Sequence, residues 1–358
     1  MRVDDLLPPS FWAAVQRIAT GGAWPPASPG EARRLVEACA RHGLLPMLLE
    51  ETGLPPSLAQ ALEDARGWRR ILEMRARTFH DATVAVCDLL AGEPPVLLKG
   101  ADFAHRLYPS PFLRPMQDVD LLVPADRIDA TCERLVAAGL VPVATEGAVR
   151  DPGYHERALA WGKLLVEVHQ SFIQRPRHRI DYAGIWTRRL PTEVGGRRAF
   201  RLDDIDALLY QALTIAIDEF QVRLVRYVDL WLLLRRREGI ATAAAERARE
   251  WEVARAYYGA LCMACRLFPG FGTDDVRSAM DRTLPAATRR FVDRLVVPRP
   301  TARRPGGSRA RVVRLWRKAL LMDTALRRVS FALWYAAATL RARRRQGGGR
   351  RRGPTGRA

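Results

Sequence analysis

Two aspartates one residue apart, Asp118 and Asp120, open the run Asp-Val-Asp-Leu-Leu-Val at residues 118–123. Alternate side chains of a strand share a face, so both carboxylates project from one side of a sheet. Acids held that close repel each other, and a divalent cation is the usual reason to tolerate them. Oxygen ligands of this kind suit Mg²⁺ or Mn²⁺, ions that also hold the phosphates of a nucleoside triphosphate. A third acid, Glu167, stands in the apolar run Leu165-Val166-Glu167-Val168-His169. If that strand lies beside the first, three carboxylates converge. Two metals then fit, one activating an attacking hydroxyl and one stabilising a leaving pyrophosphate. Upstream, Leu98-Lys99-Gly100 ends another short apolar run. Gly100 there permits close backbone approach to a phosphate, and a following helix offers free N–H groups. Lys99 and Arg114 are the side chains placed to neutralise triphosphate charge.

The elements that position these groups follow from periodicity. From Ser10 to Gly92 the apolar spacing is helical: a first helix carries Phe11, Trp12, Val15 and Ile18, and a second runs from Glu31 to His42. A third, long helix starts after Pro55-Pro56 and closes at Pro94-Pro95. The period then changes to short strands at Val96–Lys99 and Asp118–Val123, with helical turns at Ala101–Tyr108 between them. A helix from Asp126 to Gly139 follows. Next comes a hairpin, Tyr154–Ala160 and Leu164–His169, around Trp161-Gly162-Lys163. Gly195-Gly196 marks one more turn between strands, and helices return from Leu202 to about Val297. A Pro/Gly linker at 298–307 leads to an arginine-rich helix, Ser308–Arg345, and a low-complexity end that reads as disordered.

The 358 residues are 48% hydrophobic and 27% charged, an ordinary globular composition that excludes wholesale disorder and disulfide scaffolds. The net charge of +19 resembles a nucleic-acid signature until it is located: residues 303–358 carry +16 of it. Only three lysines occur beside fifty-five arginines, which makes Lys99 more informative than any single arginine. Five scattered cysteines, no secretory leader pattern and no apolar run of membrane-spanning length point to a cytoplasmic protein.

In these motifs the chain resembles the nucleotidyltransferase superfamily with the DNA polymerase β-like fold. Within it the likeness is to a bacterial family of uncharacterised nucleotidyltransferases, carried by Leu98-Lys99-Gly100, Arg114, Asp118-Val119-Asp120-Leu121-Leu122-Val123, and Glu167 before His169. The resemblance spans roughly Leu89 to Leu234. It implies an α+β fold, with a small mixed sheet bearing the carboxylates between N- and C-terminal helical regions. The expected division is 1–92 helical, 93–200 the nucleotidyltransferase core, 201–300 helical, and 301–358 the basic helix and tail. The implied activity is metal-dependent transfer of a nucleoside monophosphate from an NTP such as ATP to an acceptor (small molecule, peptide or RNA), releasing pyrophosphate. Asp118, Asp120 and Glu167 would be catalytic and hold Mg²⁺ or Mn²⁺, while Lys99, Gly100 and Arg114 bind the nucleotide. Two departures stand out. Lys99-Gly100-Ala101 replaces the usual Gly-Ser or Gly-Gly, so phosphate contact falls to backbone amides, Lys99 or Arg114, and the third acid is Glu rather than Asp. Alternatives from other classes are a non-catalytic protein of the same fold that uses its tail for RNA, membrane or a biosynthetic partner, and a toxin-like transferase modifying tRNA or protein.

Other motifs read as structure. Cys262 and Cys265 are one turn apart in an apolar helix, Asp203-Asp204-Ile205-Asp206 is a helix N-terminus, and His169 is a hydrogen-bonded neighbour of the site. His155-Glu156 fits a pocket lining or a surface equally, and Asp229 a structural role or a pocket contact. The tail's apolar residues among arginines fit an anionic surface, peripheral at a membrane, or simple packing on the body.

Overall fold

The computed structural model describes residues 28–144, 154–174, 177–297 and 315–349, together with Arg17 and Trp24. Apart from Arg17, the expected first helix lies outside the described residues, as do the linker at 298–307 and the end from 350.

Four helices precede the sheet: α1 (Pro29–His42), α2 (Leu45–Leu49), α3 (Pro56–Ala65) and α4 (Gly67–Leu89). α1 begins where Ser28 and Glu31 cap each other's backbone, and it stops at Gly43, whose φ is +75°. The single long helix expected after Pro55-Pro56 is divided at Arg66 into α3 and α4, with Gly67 as the weak point.

The core adds β1 (Val96–Leu97), α5 (Lys99–Arg106), β2 (Val119–Leu122), α6 (Ile128–Ala137) and β3 (Val141–Val143). β4 (Glu156–Trp161), β5 (Leu164–His169), α7 (Tyr182–Arg188), β6 (Leu190–Val194) and β7 (Arg197–Arg201) complete it. The strands form one mixed sheet of seven in the order β3-β4-β5-β2-β1-β7-β6. β2 runs parallel to β5 and β1 parallel to β7, while the other neighbours are antiparallel. Both expected turns, at Gly162 and at Gly195-Gly196, join their strands through positive-φ glycines. The strand expected at Val96–Lys99 is only two residues long because the chain turns at Lys99, with φ +43°, directly into α5. β3 was not expected: it is short and exposed, and its Pro142 suits the edge position it occupies.

One face of the sheet buries Leu97, Val119, Leu121, Val166 and Val168 against Phe79 and Val86 of α4 and Leu135 of α6. The alternate residues of the same strands therefore face the other way, and these include the acids.

The C-terminal region is helical: α8 (Asp204–Ile217), α9 (Val225–Leu234), α10 (Ile240–Glu250), α11 (Ala254–Leu267), α12 (Asp274–Thr283), α13 (Ala286–Phe291) and α14 (Ala325–Gly349). Asp203 caps α8, accepting from the Asp206 amide at 2.7 Å, as the acidic run foretold. α8 is apolar nearly all round and packs against α9, α10 and α11. Cys262 is buried in α11, where its thiol donates to Asp293 Oδ1 at 3.0 Å, and neither it nor Cys265 is in a disulfide. The basic helix is interrupted at 321–324, where Leu321 and Met322 are buried. Asp323 there accepts from the amides of Ala254 and Arg255 at 2.7 and 2.9 Å, which fastens the start of the tail to the body. Leu326, Val329 and Leu333 on α14 remain exposed. Among the described residues, no helix is long and apolar enough to cross a membrane.

Candidate active site

The parallel pairing of β2 with β5 sets Asp120 directly beside Glu167 and Leu122 beside His169. Side chains that are neighbours in register project from the same face, so Asp118, Asp120, Glu167 and His169 share one side of the sheet. The antiparallel pairing of β5 with β4 extends this row, because Glu156 stands opposite His169. Asp118 falls just before β2, half-buried, whereas Asp120 is fully buried.

Asp120 is the centre of the polar contacts. Its Oδ1 accepts from Lys99 Nζ at 2.8 Å and lies 2.9 Å from His169 Nε2. Its Oδ2 is buried with no hydrogen-bond partner among the described residues. Burial opposes ionisation of Asp120, but Lys99 and His169 outweigh it and hold the carboxyl well below its ordinary value. Burial likewise opposes the Lys99 ammonium, yet Asp120, with Tyr210 and Asp118 behind it, keeps Lys99 well above its usual range. His169 follows the same logic: burial disfavours its charge, and the hydrogen bonds to Asp120 and Glu167 lift it to about 9. Asp118 differs. Burial, and then the charge of Asp120, raise it to about 7, with Lys99 only partly offsetting them. Asp118, Asp120, Glu156 and Glu167 thus stand against one lysine and one cationic histidine, and the row keeps excess negative charge.

One ligand atom from each of Asp120, Glu167 and His169 lies within 4.8 Å of the others, and Asp120 also carries the buried Oδ2 that has no hydrogen-bond partner among the described residues. The residues present therefore fit a divalent cation. Asp118 acts on this group through its charge and is not one of the three.

Arg114 and Gly100 meet each other. Arg114 is buried, and its Nη2 and Nε grip the two oxygens of Asp229 at 2.7 and 3.2 Å. Tyr108 donates to Asp229 Oδ1 at 2.7 Å, and Gln211 Nε2 is 3.4 Å from Oδ2. The Arg114 charge, expected on the phosphate side, is thus held by Asp229 of α9, so this residue joins the sheet region to the C-terminal helices. A Cβ at Gly100 would stand 2.5 Å from Arg114 Nη1 and 2.8 Å from Met116 Cγ. The glycine is required first of all by this packing. Asp229 accordingly has the structural place that its sequence position left open.

A family signature matches residues 28–269, more than half of the chain, and its description is "uncharacterised nucleotidyltransferase". The chain belongs to this family. Among curated proteins none matches it significantly. Membership makes the protein an enzyme of the nucleotidyltransferase class, with an NTP as the substrate that class implies. The matched span includes every residue expected at the site, from Lys99 to Glu167, and also Asp229.

The sequence left His155-Glu156 between a pocket lining and a surface, and the strand register puts Glu156 on the row of acids with His155 beside it. The signal was present in the hairpin: counting outward from the Gly162-Lys163 turn pairs Trp161 with Leu164 and hence Glu156 with His169.

Proposed function

We propose that the protein is a divalent-metal-dependent nucleotidyltransferase that moves a nucleoside monophosphate from an NTP to an acceptor hydroxyl, phosphate or amine. The observation that supports this reading above others is the unpartnered Asp120 Oδ2, buried in register with Glu167 and next to Asp118. In the reaction the acceptor atom bonds to the α-phosphorus as the bond to the β-phosphate oxygen breaks. The acceptor loses its proton and pyrophosphate leaves. Asp120 and Glu167 hold Mg²⁺ or Mn²⁺, with Asp118 adding charge. The cation, when bound, neutralises the triphosphate and lowers the pKa of the nucleophile.

The chain's own groups supply alignment, which phosphoryl chemistry chiefly demands. Lys99, about one-fifth exposed, is the cation on the rim of the acids and is placed to contact the triphosphate. Its positive φ belongs to the strand-to-helix turn that leaves the first amides of α5 without a side-chain cap. Gly100 and Arg114 shape that turn from behind.

Calorimetric titration of ATP, GTP, CTP and UTP, with and without Mg²⁺, tests the reading on wild type, Asp118→Asn and Asp120→Asn. The expected result is Mg²⁺-dependent binding that both variants lose. Binding of no nucleotide, or binding indifferent to both substitutions, would overturn it.

A further inference from the structure

Beside the acids lies a second group of metal-ligand chemistry that the nucleotidyltransfer reading does not use. It consists of His155, Glu156 and His169, each with a ligand atom within 4.8 Å of the others. His155 Nε2 is 3.2 Å from Glu156 Oε2, and Glu156 Oε2 is 3.6 Å from His169 Nδ1. Metal–ligand bonds of zinc type in a tetrahedral arrangement put neighbouring ligand atoms about 3.3–3.4 Å apart. Two of the three donor pairs thus stand close to the spacing one ion needs, and the third lies within 4.8 Å.

A second, independent observation points the same way. His169 is 97% buried, and its Nδ1 makes no hydrogen bond among the described residues while facing Glu156. Glu156 is near enough to pair with its charge but not to accept a hydrogen bond, and a buried ring nitrogen without one costs free energy unless something occupies it. The register of β4 with β5 fixes this arrangement, since Glu156 and His169 are cross-strand partners.

We propose that His155, Glu156 and His169 form a distinct site for a transition-metal ion of zinc type, adjacent to the Asp120–Glu167 group and sharing His169 with it. Two imidazoles and one carboxylate favour Zn²⁺ or a similar ion over Mg²⁺, which prefers oxygen alone. Three protein ligands leave a fourth position for water. On binding, Nδ1 gives its lone pair to the ion and any proton it carries goes to solvent. The remaining N–H is then fixed on Nε2, where it donates to Asp120 Oδ1. The ion therefore sets the tautomer of the histidine that orients Asp120, leaving Asp120 Oδ2 for the other cation. This proposal does not rest on nucleotide turnover, and its test uses no nucleotide.

The full chain is titrated with Co²⁺ in excess Mg²⁺, and the visible absorption of four-coordinate Co²⁺ is followed. Wild type should take up one equivalent with that spectrum, and Zn²⁺ should displace it. His155→Ala and Glu156→Gln, each checked for native circular dichroism, should weaken uptake at least about tenfold, as loss of a metal-supporting group does. Glu167→Gln, which removes none of the three ligands, should keep both spectrum and stoichiometry. The proposal fails if wild type shows no such spectrum in excess Mg²⁺. It fails equally if the spectrum survives in His155→Ala or Glu156→Gln but is lost in Glu167→Gln, because Co²⁺ then sits on the acids alone.

Discussion

Asp120 and Asp229 are both fully buried, and each is held by a basic side chain, yet they are opposite kinds of site. Asp229 accepts from Tyr108, from Arg114 at both oxygens, and approaches Gln211. Every lone pair has somewhere to go, and the guanidinium matches the carboxylate fork for fork. Asp120 has one satisfied oxygen and one orphan, and its neighbours Asp118 and Glu167 repel it. A closed ion pair holds elements of the fold in place. An open one with like charges beside it sacrifices stability for a place to bind a cation, and that contrast separates structure from chemistry here.

The contrast can be broken most decisively at the acids. Asp118→Asn should reduce nucleotidyl transfer by about 10³-fold, the scale of losing one electrostatic stabiliser. Single-turnover assays with labelled NTP read this directly, and near-wild-type rates would remove Asp118 from the site.

At the Arg114–Asp229 pair the loss should fall on stability instead. Asp229→Ala leaves Arg114 buried and unpaired, which costs about 3–5 kcal/mol in denaturant unfolding. Replacing both partners, as Arg114→Met with Asp229→Leu, should recover most of that. A double variant as unstable as the single one would mean the pair does more than balance charge.

A subtler difference concerns pH. Asp118 is raised from its ordinary 3.8 to about 7 in the folded protein. Between those values the folded chain holds a proton that the unfolded chain has released, so stability falls as pH rises through the window. In chelator, Asp118→Asn should flatten that fall and be more stable than wild type at pH 8, on the order of 1–3 kcal/mol. Parallel unfolding curves for the two proteins from pH 4 to 8 would contradict this origin of the pH dependence. An effect of the same size is expected at Gly100→Ala, where the new methyl meets Arg114 and Met116. It should cost about 1–3 kcal/mol by overpacking, measured by thermal unfolding.

Much of this was legible in the chain. The Asp-x-Asp spacing, the alternation of Val166, Glu167 and Val168, and the two glycine turns each report on a local period that the backbone must obey. The capping acids before α8 and the apolar cysteine helix are local in the same sense. Boundaries were less legible: Val96–Lys99 reads as one strand, but the chain turns into a helix at Lys99, whose ammonium meets Asp120 twenty-one residues on. Arg114 is the clearest case of what the sequence withholds. Its type and its place before the Asp pair fit phosphate, and only the return of α9 brings Asp229 against it across 115 residues.

Residue types and their periods, then, determined by themselves that acids line one face of a short strand, that a Lys-Gly turn precedes them, and that helices flank a sheet. These follow from the two-residue repeat of strands and the 3.6-residue repeat of helices. The tertiary structure alone decided which strands are neighbours, and hence that Glu167 stands beside Asp120, Glu156 opposite His169, and Asp229 on Arg114. Charge and hydrogen-bond partners are chosen by distance in space, and sequence separation carries no such distance until the core has folded.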